Sequence, residues 1–313
     1  MAARRKREVA WRVFAFELNS ATQVQAGNDA YEPNYIITEA GAKINRVFVT
    51  GIFTEKENVG SEDDPLWRAR LIDPTGAFYI SAGRFQPDAA KTFSDLEPPQ
   101  TLALVGKIRT FTLDDGRFYV SIRPEMVKPI DTYARNFWIF ESSKMLLHRL
   151  ECLREALKMD PLDEKNLLAL GYNKLEITGV TAALKAYNYN EVDLDRYEQQ
   201  LNEILVNLKD GIYDIESLPT EIFSEHNQHK PEFEIDQPDD TQIAEMEAKE
   251  NLVRTLVDEL DSGDAKGANY HQVLKAAESK GMSRDDTEEC VNVLMTKGFI
   301  FEPTLGYLKS IEK

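Results

Sequence analysis

The chain is poor in the side chains that do most chemistry near neutral pH: its 313 residues include two cysteines and four histidines. Cys152 and Cys290 lie far apart, and neither has a second Cys or a His at metal-ligand spacing, so both read as reduced thiols. His226 and His229 form an HxxH with no local third ligand, and read as solvated side chains. No GxxxxGKS/T, GxSxG or HExxH occurs, and no carboxylate pair stands out as an acid and base. The chain therefore reads as a non-enzymatic binder that needs no cofactor or metal. No apolar run approaches the roughly 18 residues of a membrane-spanning helix. The opening MAARRKREVAWRVFAFELN has a basic start and a short apolar patch, but Glu8, Arg12 and Glu17 interrupt it and no small-residue cleavage site follows. A soluble, cytoplasmic protein is expected.

Cations are scarce as well. The formal net charge of −17 argues at first sight against a nucleic-acid partner, but the excess is uneven. Residues 1–43 carry net +1, residues 44–130 net −1, residues 131–240 net −12 and residues 241–313 net −5. Residues 44–130 thus hold eleven cations close to neutrality, and their placement decides what that segment can bind.

Strand signals dominate that segment. NRVFVTGIFTE is a β-branched and aromatic run broken by Gly51; WRARLID and AFYISAG flank a DPTG turn; TLALVGKIRTFTL is interrupted by Gly106; and RFYVSIRP follows Asp114-Asp115-Gly116. One helix, QPDAAKTFSDL, lies between the third and fourth strands. Small barrels need glycine where strands coil sharply. An SH3-like barrel or a sandwich would also use five strands, but the order β-β-β-α-β-β favours an OB-fold over residues 44–130, with residues 1–43 as an extension packing on or near it.

From Tyr133 the period changes to that of helices. Met145, Leu146, Leu150, Leu153 and Leu157 recur every three or four residues, and Leu194, Tyr197, Leu201, Ile204, Leu205 and Leu208 mark another amphipathic helix. Residues 131–216 form a helical segment, and residues 217–242, rich in Pro and acids, a linker. Residues 243–313 give three helices and two short strands around Pro303–Gly306, a winged-helix layout. The expected class is α+β multidomain: a five-stranded OB-fold barrel, a helical middle segment and a C-terminal winged helix.

In an OB-fold the face of the second and third strands, with the loops between strands one and two and strands four and five, lines a groove. Single-stranded nucleic acid needs cations along its phosphates and aromatic planes under its bases. With Leu71, Phe78, Ile80, Val120 and Ile122 facing inward, the opposite parity sends Arg68, Arg70, Tyr79, Tyr119 and Arg123 outward. KIRTFTLDDGRF adds Lys107, Arg109, Phe111 and Arg117, and Arg84 and Phe85 follow the third strand. The alternative is a solvated sheet face with snorkelling arginine stems. The third helix of the C-terminal unit opens SRDDTEEC, where Asp285, Asp286, Glu288 and Glu289 outweigh Arg284, and the wing offers only Lys309. Such a helix repels a phosphate-lined groove, so this unit is expected to bind protein or to be structural.

RVFAFELN, TEAGAKINRVFVTGIFTE, WRARLIDPTGAFYISAGRFQPDAA, PPQTLALVGKIR, VSIRPEMV and NFWIFESS, in that order, resemble the archaeal replication protein A-associated family, itself similar to the small subunit of replication protein A. The resemblance implies a single-stranded DNA-binding accessory of replication and repair, associated with the nucleoid. It implies stacking aromatics near the end of strand three and in the loop between strands four and five. Phe111 matches the second; at the first, Ala82-Gly83-Arg84-Phe85 stands where the eukaryotic proteins usually have a tryptophan, and Phe85 is the nearest aromatic. It also implies a partner, a replication protein A large subunit or related OB-fold protein, held through helices after the barrel. The stripe of Met145, Leu146, Leu150, Leu153 and Leu157 suits that role, or packs on the chain's own barrel or its Leu194–Leu208 helix. The alternatives are a scaffold of that complex with little intrinsic DNA binding, and an RNA-binding OB-fold protein.

Overall fold

The computed structural model of the chain describes residues 8–25, 34–61, 65–112, 118–211, 240–261, 263, 267–282, 284–296, 298–304 and 306–311. They fall into two compact units. The first begins with helix α1 (Ala15–Asn19) and a small antiparallel sheet of β1 (Gln23–Gln25), β2 (Tyr35–Ile37) and β3 (Lys43–Ile44). This sheet was not expected: strands of two or three residues, half of them polar, carry no readable alternation.

The five longer strands are β4 (Arg46–Asn58), β5 (Trp67–Asp73), β6 (Gly76–Ala82), β7 (Gln100–Thr112) and β8 (Phe118–Pro129), with helix α2 (Pro87–Asp95) between β6 and β7. They close into an OB-like barrel in the order β4-β5-β6-β8-β7, antiparallel except where β6 meets β8 at Ile80 and Ile122. Leu71, Phe78, Ile80 and Ile122 are buried in its interior and Val120 packs against it. The two strand glycines sit where strands approach most closely. A Cβ on Gly51 would lie 2.5 Å from the Ile72 carbonyl oxygen, and one on Gly106 2.5 Å from that of Arg123.

The two ends of the barrel are covered differently. Trp11 N–H donates to Arg46 O at 2.9 Å and Phe48 N–H to Trp11 O at 2.8 Å, tying the N-terminal segment to β4. At the DPTG turn, Asp73 Oδ1 accepts from Thr75 N–H, Thr75 Oγ1–H and Gly76 N–H at 2.7, 2.7 and 3.0 Å, and Oδ2 accepts from Ala15 N–H at 2.7 Å. One carboxylate therefore shapes the hairpin and anchors α1. At the far end of β6, α2 turns Phe93 against Phe53, ring centroids 5.7 Å apart.

Helix α3 (Thr132–Leu157), capped by Asp131 Oδ1 accepting from Ala134 N–H at 2.7 Å, follows the barrel. Trp138 lies against Phe14, centroids 5.6 Å apart, and its Nε1–H donates to Phe48 O at 3.0 Å. After it come α4 (Glu164–Ala169), α5 (Lys174–Ala186) and α6 (Asp195–Lys209). Of the two roles open to the leucine stripe of α3, an outside partner or packing within the chain, three of its members take the second. Leu146 and Leu150 are buried in one core with Tyr197, Leu201 and Ile204 of α6, while Leu153 joins Cys152, Leu167, Ile177 and Val180. The chain's own helices cover them. Met145 and Leu157 are exposed, and so are Tyr133, Phe137, Phe140 and Leu147.

The second unit comprises α7 (Asp240–Leu260), β9 (Ala268–Asn269), α8 (Tyr270–Ser279), α9 (Arg284–Thr296), β10 (Ile300–Thr304) and β11 (Tyr307–Ser310), its sheet in the order β10-β11-β9. Val257, Val273, Val291, Ile300 and Leu308 meet in its core. Helix α7 begins inside the span expected as linker; the rest of that span, with His226 and His229, lies outside the described residues.

Two buried carboxylates generate predictions. Glu17 and Arg149 are 0% and 2% exposed, with Arg149 Nη2–H donating to Glu17 Oε1 and Oε2 at 2.6 and 2.7 Å. Arg149→Met leaves a buried charge unpaired and is expected to cost about 3–5 kcal/mol in chemical denaturation at pH 7. Burial raises the Glu17 carboxyl above its ordinary range, so the penalty shrinks at acid pH as Glu17 takes up a proton. Glu17→Gln added to Arg149→Met should restore most of the loss.

Burial raises Asp73 to about 6, its hydrogen bonds pulling the other way. Its contribution to stability is fully present below the ordinary carboxylate pKa and is lost as pH rises through about 6. Wild-type protein should therefore lose about 1.3 kcal/mol from this group between pH 5 and pH 7. Asp73→Asn should flatten that interval of the stability–pH curve; parallel curves would place the titration elsewhere.

Candidate nucleic-acid interface

Strand register decides which charges share the outer face of the barrel. Across β5 and β6, Arg70 stands directly opposite Tyr79 and Arg68 opposite Ser81. Across β7 and β8, Lys107 faces Arg123, Arg109 faces Ser121 and Phe111 faces Tyr119. The inward partners of these positions are Ala69, Leu71, Ile80, Ile108 and Ile122, all buried, so the expected outward set has one parity. Arg68, Arg70, Tyr79, Lys107, Arg109, Tyr119 and Arg123 are all half-buried, with their stems lying on the sheet. Phe111 contributes its backbone to the ladder, and its side chain lies outside the described residues, as does Arg117. Arg84 and Phe85 lie in the turn joining β6 to α2 and stack on each other, the guanidinium 5.0 Å from the ring centroid.

Two β-bulges bring carboxylates onto this face, which the sequence reading missed. Phe53 pairs with Leu71 and then Glu55 with Arg70, so Thr54 is the extra residue. A bulge shifts register by one, and a one-residue shift exchanges the two faces of a strand. Before it, Phe53 points inward beside Leu71. After it, Glu55 faces Arg70, Lys56 faces Ala69 and Glu57 faces Arg68. Lys56 is thereby removed from the cation row and lies over the Trp67 ring, 5.2 Å from its centroid, with its Nζ–H donating to Ser94 O and Glu97 Oε1.

The second bulge lies on β8, where Val105 pairs with Met126 and Gly106 with Pro124. The extra residue is Glu125. Arg46, opposite Lys107, donates to Glu125 Oε2 from Nε and Nη2 at 2.9 and 2.6 Å and to Glu8 O from Nη1 at 3.2 Å. This is a multiply bonded anchor for the N-terminal segment. By contrast Arg70 and Glu55 touch through one Nη1–Oε1 contact of 3.4 Å, with side chains 26% and 36% exposed.

The chemistry suits a flexible anion with flat, apolar groups: four arginines, a lysine and two tyrosines share the outward parity of four strands. A duplex-reading helix is not built the same way. In α9, Asp286 is engaged by Lys249 at 3.0 Å, and the side chains of Asp285 and Glu289 lie outside the described residues. Burial pushes the Cys152 thiol up to about 12, which leaves it a poor nucleophile. Among the described residues no group of three or more His, Cys, Asp and Glu is placed to hold a metal ion, and no helix is long and apolar enough to cross a membrane.

No family model matches the chain, and no curated protein does. Solved structures similar to part of it include the second single-stranded DNA-binding protein, SSBb, of Mycobacterium smegmatis, at 19% identity over 28% of this chain and 86% of that one, with a TM-score of 0.24. An OBody, NL8, bound to hen egg-white lysozyme is 14% identical over 28% of this chain and 94% of its own, also at 0.24. The wild-type single-stranded DNA-binding protein of Thermus aquaticus is 16% identical over 29% of this chain and 52% of that one, at 0.23. Each likeness spans less than a third of the chain, and the OB-like description of its barrel rests on its own closed strand order.

Proposed function

We propose that the chain is a non-enzymatic single-stranded DNA-binding accessory of archaeal DNA replication and repair, associated with replication protein A. The observation that carries this reading is the shared parity of Arg68, Arg70, Tyr79, Lys107, Arg109, Tyr119 and Arg123 on one face of the barrel. In this reading the cations follow phosphates, while Tyr79, Tyr119 and Phe111 stack bases. The second unit is a winged helix that takes a protein ligand; its element order, with a three-stranded sheet after and between three helices, supports this. A protein-interaction scaffold with little intrinsic DNA binding is the second reading. Tyr133, Phe137, Phe140 and Leu147, exposed along one side of α3, favour it.

Binding of oligo-dT and of a duplex by the full chain, measured across a salt series, separates the two readings. Counterion release lowers log K by roughly 0.7 per neutralised phosphate on a single strand, so two to four contacts give a slope of about 1.5–3 in magnitude. Oligo-dT should be preferred over duplex, and Arg68→Ala with Arg70→Ala should make the slope shallower. Phe111→Ala should weaken binding by roughly 1–3 kcal/mol. An absence of salt-dependent binding at about 20 mM salt, with a replication protein A complex still formed, selects the scaffold.

A further inference from the structure

The carboxylates that the Thr54 bulge turns onto the binding face have no role in the reading above, and a bulge-free ladder would have placed Thr54 and Lys56, not Glu55 and Glu57, opposite Arg70 and Arg68. We propose that Glu55 and Glu57 are internal competitors of the bound strand: they face Arg70 and Arg68 in the free protein, and a single-stranded nucleic acid must displace them. This rests on the single-stranded DNA reading and names how that same site is regulated.

The geometry fits a displaceable counter-charge. Oppositely charged residues directly across an antiparallel pair attract, whereas a Lys facing an Arg repels, so the bulge exchanges a repulsion for an attraction. The attraction is weak by construction. One 3.4 Å contact between side chains 26% and 36% exposed is within reach of water and of an incoming anion. Glu57 is more exposed still. The Arg46–Glu125 pair on the same barrel shows the contrast: two nitrogens meet one carboxylate oxygen, and the same guanidinium holds a backbone carbonyl. That pair is an anchor. A phosphate brings a full charge and further acceptor oxygens to the same arginine, and so competes with a singly bonded carboxylate for it.

The competition has consequences that a purely structural pair lacks. Displaced carboxylates are left facing the bound strand, so part of the phosphate attraction is offset, and affinity stays low until they are removed. They also blunt the salt dependence, since an arginine already neutralised by a carboxylate releases fewer counterions from the nucleic acid on binding.

The test compares full-length wild type with Glu55→Gln, Glu57→Gln, the double variant and Glu203→Gln, using a fluorescent oligo-dT across a salt series. Glu203 is exposed on α6, so its variant controls for the change in net charge alone. Each face variant should tighten binding by roughly 3–10-fold at low salt, the scale of one close charge pair in a solvated setting. The double variant should steepen the slope by about 0.7 or more. Arg70→Ala should cost more in the Glu55→Gln background than in wild type. Should Glu55→Gln fail to fold, as judged by thermal unfolding, the exposed Glu57→Gln carries the comparison. Binding unchanged, weakened or raised only as far as in Glu203→Gln overturns the competitor role while leaving the DNA reading intact. No binding by any of the proteins at about 20 mM salt overturns the DNA reading itself, and the competitor role with it.

Discussion

The position of α3 depends on the buried pair of Glu17 and Arg149. Glu17 comes from α1, Arg149 from the middle of α3, and Thr38 Oγ1–H donates to Glu17 Oε1 at 2.9 Å from the turn between β2 and β3. The Trp11 ring lies over the guanidinium, its centroid 5.3 Å away. Three segments distant in sequence, 11–17, Thr38 and Arg149, thus converge on one charge pair. Its desolvation cost roughly cancels its attraction, so an apolar replacement of equal volume would be about as stable. A shift of α3 by one turn would leave both charges buried and unpaired, and breaking such a pair costs about 3–5 kcal/mol.

That fixed frame determines which barrel faces are used up. With α3 held by Arg149, Trp138 reaches the Phe48 carbonyl and covers the outer side of the first half of β4. The N-terminal segment covers the same strand through Trp11, and Asp73 brings α1 to the β5–β6 turn. On the outer side of β5, β6, β7 and β8, Arg68, Arg70, Tyr79, Lys107, Arg109, Tyr119 and Arg123 stay half-buried.

The barrel was legible from its sequence because each signal is local. WRARLID and AFYISAG alternate, DPTG dictates its turn, and the helix before Pro98–Pro99 falls between the third and fourth strands as the fold requires. The parity of Arg68, Arg70 and Tyr79 follows from the same alternation. Three things were not legible. The β1–β3 sheet is too short to show a period. The destination of Leu146, Leu150 and Leu153 depends on what packs against α3, and an amphipathic stripe does not say whether its partner is the same chain. The bulges are set by pairing between strands, and FTEKEN alone does not fix whether Glu55 and Glu57 or Thr54 and Lys56 turn outward.

Net charge is a poor guide to this face for a physical reason. At physiological ionic strength the screening length is about 8 Å, so carboxylates much farther than that from the arginines contribute little to what a bound strand feels. A carboxylate 3.4 Å from a guanidinium lies well inside the screening length. One register step in β4 therefore sets whether a carboxylate lies inside the screening length of Arg70. The eleven cations of residues 44–130 are then not interchangeable. Arg46 is committed to Glu125, Lys56 is turned away, Arg70 meets Glu55 through one contact, and Arg68 stands across the ladder from Glu57. The chain is strongly acidic as a whole, yet the field at each of these cations is set by the neighbours its strand register gives it.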